Sequence, residues 1–130
     1  MKSEIIPKGK FYDEIKSWWE SWNFPAIPLV SLPDFGIMIS NEEKNICNAW
    51  LYETNSNILL LEWFVVNKKA NKQERKDCFS YLVDYASNYA KLKNFNILFS
   101  SVKNQSLIKK LVDNGYNNGE KGMVNLTKII

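Results

Sequence analysis

The sequence predicts an α/β fold of the α+β kind: one mixed sheet with helices on both faces. Three observations predict it. Ile58 to Val66 is apolar at alternate positions in both registers apart from Glu62, and a strand buried on both faces needs cover on each side. Asn71-Lys-Gln-Glu74 has capping-box spacing and opens a long helix that ends near Leu92. A short strand, Ile97 to Phe99, follows that helix, so the step from Ile58 to Phe99 reads as a right-handed parallel crossover.

The other elements follow in chain order. Phe11, Ile15, Trp18 or Trp19, and Trp22 recur at helical spacing and predict a helix over Tyr12 to Trp22, with Asp13 and Glu14 where the helix dipole favours acids. Trp18 and Trp19 are adjacent, so one stripe does not bury both, and one of them is expected to face a substrate or a partner. Phe24 to Pro33 carries Pro25, Pro28 and Pro33 and reads as an extended link. Asp34-Phe-Gly36 is a turn signal leading into a strand over Ile37 to Ile39. The polar stretch Asn41 to Asn45 reads as a hairpin turn, Ile46 to Glu53 as a strand, and Thr54 to Asn57 as a second turn, so the first three strands form a meander. On the third, Ile58, Leu60, Glu62, Phe64 and Val66 are expected on one face, and Leu59, Leu61, Trp63 and Val65 on the other. Ile97 to Phe99 is expected to be buried. Asn104 to Asn114 is the next helix, closed by Gly115 in the left-handed position after its end. Tyr116 to Thr127 reads as a terminal strand pair turning around Gly119 and Gly122. Nothing in residues 1 to 130 reads as a linker, so a single domain is expected.

Composition narrows the chemistry. The chain has 130 residues, 45% hydrophobic and 14% aromatic, enough to build a core. It contains no histidine, which removes histidine bases, histidine triads and histidine-ligated metal. Cys47 and Cys78 are too few for a thiolate metal site and read as small buried hydrophobes. The net charge is +3 and Arg75 is the only arginine, so nucleic-acid binding is not expected. No window is apolar enough for a membrane span and the N-terminus has no secretory pattern; a cytoplasmic protein with reduced thiols is the expectation. The asparagine, lysine and isoleucine bias fits an AT-rich genome, bacterial or phage.

These elements, with these residues, resemble the GNAT acyltransferases from about Phe11 to the end of the chain. The likeness is sharpest in Leu61-Glu-Trp-Phe-Val-Val-Asn67, the helix after it, Phe99-Ser-Ser-Val-Lys-Asn104 and Asn114-Gly-Tyr116. Phage-encoded GNAT-like proteins are similar at the start too, with a tryptophan-bearing helix and a proline-rich link into a turn like Leu32-Pro-Asp-Phe-Gly36. The resemblance implies strands that splay after the central one, a cleft between them for acetyl-CoA as co-substrate, and a pyrophosphate held at the start of the following helix. The family pattern Arg/Gln-x-x-Gly-x-Gly/Ala falls on Gln73-Glu-Arg-Lys-Asp-Cys78, with Lys76 at the first glycine; no glycine lies between Gly36 and Gly115. The tyrosine that the family often carries as an acid falls at Leu111, which leaves Tyr116 or a water for that role.

The resemblance makes Glu62 the general base and leaves the acid to Tyr116 or a water. It assigns the backbone of Phe64, Val65 and Val66 to the thioester and pantetheine, Asn71, Lys72, Gln73, Arg75 and Lys76 to the pyrophosphate, and Asn104 to a pantetheine amide. Each has a plainer reading. Glu62 can be a structural acid bonded to backbone or to a tyrosine, the Lys68 to Lys76 run a solvated helix start, and Asn104 a helix cap. The expected activity is acetyl transfer from acetyl-CoA to a small-molecule or peptide amine by direct attack, with no metal and no membrane. The alternative is a non-catalytic GNAT-like module that binds a protein partner, a phage accessory or host-inhibitory protein; either form is a monomer or a homodimer.

Overall fold

The structure, a computed structural model, describes residues 1–130. Its elements are β1 (Lys2–Pro7), α1 (Tyr12–Ser21), a 3₁₀ turn (Leu29–Ser31), β2 (Phe35–Ser40), β3 (Asn45–Glu53), β4 (Ile58–Val66), α2 (Lys72–Leu92), β5 (Ile97–Phe99) and α3 (Gln105–Asp113). The five strands lie in sequence order in one sheet, antiparallel from β1 to β4 and parallel between β4 and β5. The meander and the parallel step therefore stand as the residue pattern predicts.

Two apolar clusters lie on opposite faces of this sheet. One joins Ile37, Cys47, Ala49, Leu59 and Leu61 to Cys78, Phe79, Leu82 and Ala86 of α2, with Leu107 of α3 against it. The other joins Ile6, Met38, Trp50 and Val65 to Ile15, Trp18 and Trp19 of α1. Both Trp18 and Trp19 are buried, contrary to expectation. The cause is the proline-rich link. Ala26, Ile27 and Leu32 fold back into the same cluster, and the Tyr12 hydroxyl donates to the Ile27 carbonyl (2.8 Å), so α1 is covered on a second side.

The structure corrects the sequence reading at four further places. β1 precedes the first helix and pairs with β2 from Lys2↔Ser40 to Pro7↔Phe35. Pro7 is tolerated because β1 is an edge strand. β5 is not buried: Ile97 and Phe99 are 45% and 48% exposed, because it forms the far edge of the sheet. The strand pair over Tyr116 to Thr127 is absent, and residues beyond Tyr116 are exposed coil. That segment has strand propensity, but a hairpin without a face to lie on is marginal.

The fourth correction concerns β4. Between the pairs Trp50↔Glu62 and Asn48↔Val65, two steps along β3 are matched by three along β4. The extra residue makes a β-bulge at Trp63, whose φ is +60°. Beyond it the alternation is inverted. Phe64 and Val66 pack on the α2 face, while Val65 joins Glu62 on the α1 face.

Candidate functional site

β4 and β5 pair only from Ile58↔Ile97 to Leu60↔Phe99. β4 then continues to Val66 while β5 ends, so the two strands part and β4 keeps an open edge. The Asn67 N–H donates to the Ile46 carbonyl (2.7 Å) across the β3 side. Antiparallel alternation then turns Val65 toward β3 and turns the backbone of Val66 and Phe64 toward the open edge. The Val66 carbonyl is taken there by Trp22 Nε1 (2.9 Å), and Lys68 Nζ sits 4.6 Å from the Trp22 ring and donates to the Ser21 carbonyl (3.1 Å). Val65 is therefore not part of this edge: its backbone pairs with β3 and its side chain is buried under α1.

Glu62 stands where the strands part. It is half-buried, neither sealed nor free. Its Oε1 accepts from the Ser101 N–H (2.9 Å), the first backbone donor group past β5 that reaches across the gap. Burial raises its pKa, the Ser101 N–H partly offsets this, and the carboxyl rests at about 7. Two tyrosines flank it. Tyr116 bonds Ser100 Oγ (3.0 Å), and its hydroxyl is pushed up by burial and by the Glu62 charge. Tyr52 receives the Trp63 Nε1–H (2.7 Å) and donates to the Ser31 carbonyl (2.9 Å); burial raises its pKa first, with Glu62 adding to it. The structure thus brings Glu62 and Tyr116 together, and adds Ser100, Ser101, Tyr52 and Trp63. Tyr52 lies two residues from Trp50 on the same face of β3, a signal present in the sequence. The serines had none beyond following a strand.

The start of α2 is organised differently. Asn71 Oδ1 accepts from the Glu74 N–H (2.8 Å), and Glu74 Oε1 accepts from the Asn71 N–H (2.9 Å), the reciprocal capping box that the spacing predicts. Asn71 is thereby committed to the helix. The Lys69 N–H is taken by Asn67 Oδ1 and the Ala70 N–H by the Asn67 carbonyl. The Lys72 and Gln73 N–H groups of the first turn have no intrahelical acceptor. Glu74 faces Asn41 and Lys44, and the Asn71 N–H holds its carboxyl below the usual range. Asp77 accepts from Gln73 Nε2 (2.9 Å). Lys69, Lys72 and Lys76 are exposed, and Arg75 is half-buried with Nε lacking an acceptor. These residues fit a pyrophosphate through charge and two helix N–H groups rather than through a glycine cradle. Asn104 caps α3, accepting from the Leu107 N–H (3.0 Å).

No family model and no curated protein matches the sequence. Solved structures do match. One is a probable acetyltransferase, 14% identical, covering 100% of this chain and 98% of its own, with a TM-score of 0.75. Another is an aminoglycoside acetyltransferase from an uncultured soil metagenomic sample, solved with sisomicin: 12% identical, 99% and 96% covered, TM-score 0.70. A third is an aminoglycoside N-acetyltransferase solved with CoA: 13% identical, 98% and 95% covered, TM-score 0.66. These likenesses show that the chain has the fold of the GNAT acetyltransferases.

Proposed function

We propose that the protein is a GNAT-family N-acetyltransferase that moves an acetyl group from acetyl-CoA to an amine by direct attack. One observation carries the reading: a carboxyl with pKa about 7, Glu62, stands at the mouth of the gap between β4 and β5 with Tyr116 electrostatically coupled to it. A general base is most effective when its pKa lies near the working pH.

Acetyl-CoA supplies an acetyl group activated as a thioester. The Phe64 and Val66 N–H groups on the open edge of β4 would hold and polarise it. Lys72, Gln73, Arg75 and Lys76 would hold the pyrophosphate at the start of α2. Asn104 keeps its amide N–H₂ for a pantetheine carbonyl while its oxygen caps α3. Glu62 takes one proton from the ammonium, the nitrogen forms its bond to the acetyl carbon, and the carbon–sulfur bond breaks as Tyr116 gives its proton to the sulfur. The second proton shed by the new amide nitrogen restores Tyr116, while that on Glu62 leaves to water.

Thermal melting with acetyl-CoA tests the binding half. Ligand at ~100 times its dissociation constant adds ~2.7 kcal/mol of stability. A melting curve unmoved by millimolar acetyl-CoA overturns the reading and leaves a protein-binding module. Release of free CoA thiol in the presence of amines tests the chemistry. Glu62→Gln should retain the melting shift while turnover falls on the order of 10²–10⁴-fold; unchanged turnover removes Glu62 from the role.

A further inference from the structure

This inference rests on the transferase reading and concerns the amine. Beside Glu62, on the same face of the sheet, the wall is aromatic and aliphatic. Trp63 is 40% exposed although it sits at a bulge with φ +60°, a conformation that bulky side chains avoid. Its ring is fixed, because Nε1 donates to the Tyr52 hydroxyl (2.7 Å) and that hydroxyl donates to the Ser31 carbonyl (2.9 Å). The turn carrying Ser31 also presents Val30, 85% exposed, whereas Leu29 opens on a separate hollow that it shares with Asp13 and Glu14. Leu60, half-exposed, lies opposite Tyr52 in the ladder and two residues before Glu62. Glu62 is the one carboxylate beside Trp63, Tyr52, Leu60 and Val30.

We infer that the acceptor is a primary amine with a single cationic nitrogen on an aromatic or other apolar body, seated on Trp63, Tyr52 and Leu60. A body with several ammonium groups would bring charges into a wall holding one carboxylate, and each unpaired charge would lose its water without a partner. A single ammonium finds Glu62 and, beside it, two aromatic faces that attract cations. A fixed aromatic edge costs little ordering when an apolar body settles on it. Transfer then uses the same proton path: one ammonium proton to Glu62, acetyl carbon to nitrogen as the carbon–sulfur bond breaks, the Tyr116 proton to the departing sulfur, and the second nitrogen proton back to Tyr116.

Binding is measured apart from turnover, by calorimetry on the full chain with CoA present. The probes are 2-phenylethylamine and the polycationic sisomicin. The aromatic monoamine should bind at least about ten-fold more tightly, and Trp63→Gly should erase that preference. Glycine takes positive φ freely, so the bulge survives the loss of the ring; Trp63→Asn, which also tolerates that conformation, serves if the glycine variant does not fold. In the thiol-release assay Tyr52→Phe, which frees the indole, should raise KM for 2-phenylethylamine several-fold with kcat unchanged. Equal or tighter binding of sisomicin, or binding indifferent to both Trp63 variants, overturns the inference. Binding of 2-phenylethylamine without thiol release from any amine overturns the transferase reading and leaves the subsite standing. Thiol release with sisomicin but not with 2-phenylethylamine does the reverse.

Discussion

Glu62 couples the site to the stability of the fold. Its folded pKa of about 7 lies above its ordinary value of 4.5, so between those values the folded chain holds more protons than the unfolded one. Stability is then fullest below about pH 4.5 and falls as pH rises to 7, as far as this residue is concerned. Glu62→Gln removes the penalty. Its melting temperature should exceed that of the parent at pH 8 and converge with it near pH 5; melting scans at the two pH values decide, and an equal difference at both counts against a raised pKa. The residue was legible because it is the lone acid in an apolar run. Trp63 was not. A bulge needs one extra residue on one strand, and nothing in Glu62-Trp63-Phe64 marks it, since the only residue type that takes positive φ without strain is absent. Gly36 is the opposite case. A Cβ there would meet Trp50 Cε3 at 2.6 Å and the Ala49 carbonyl at 2.9 Å, a buried ring and a backbone atom. Gly36→Ala should cost about 1–3 kcal/mol, read by urea unfolding. A loss below that would mean the ring shifts freely.

Among the elements, those with a local signal were the legible ones. The capping box, the α3 cap at Asn104 and the Gly115 turn at φ +100° follow from residue types at fixed offsets. β1 was missed because Lys2-Ser-Glu-Ile-Ile-Pro7 offers only two apolar residues before a proline; pairing with β2 makes it a strand. The strand pair expected over Tyr116 to Thr127 is absent for the converse reason, propensity without a partner. The cap carries a measurable consequence. Asn71→Ala removes the acceptor for the Glu74 N–H but keeps the backbone N–H that Glu74 Oε1 accepts from, so about 1 kcal/mol of stability should be lost in denaturant unfolding. Asn71→Asp, which keeps the oxygen, should recover most of it. A loss shared equally by both variants would point away from capping.

At the scale of the whole molecule, the site exists because the sheet is paired on one side of β4 and unpaired on the other. β3 matches β4 along nearly its full length, whereas β5 matches only Ile58 to Leu60. The gap is therefore a property of unequal strand lengths, with α1 and its link closing one side through Trp22 and Tyr52, and α3 with Tyr116 closing the other. The C-terminal segment takes no part in this. The last hydrogen bonds near it are those of Tyr116, to the Leu111 carbonyl and to Ser100, and Met123, Val124, Leu126, Ile129 and Ile130 are 74% to 114% exposed. A segment without burial or bonds adds no free energy to the fold. Removing residues 119 to 130 should therefore leave the melting temperature within about 1 °C of the parent and leave Tyr116 in place, because a shift of even 1 kcal/mol would move it by several degrees in a chain of this size. A marked drop, with near-ultraviolet circular dichroism reporting disturbed aromatic packing, would mean that these residues pair with the exposed edge of β5 in solution. Ile97 and Phe99 would then be covered, and the wall of the gap next to Ser100 would be stiffer than three residues of edge strand can make it.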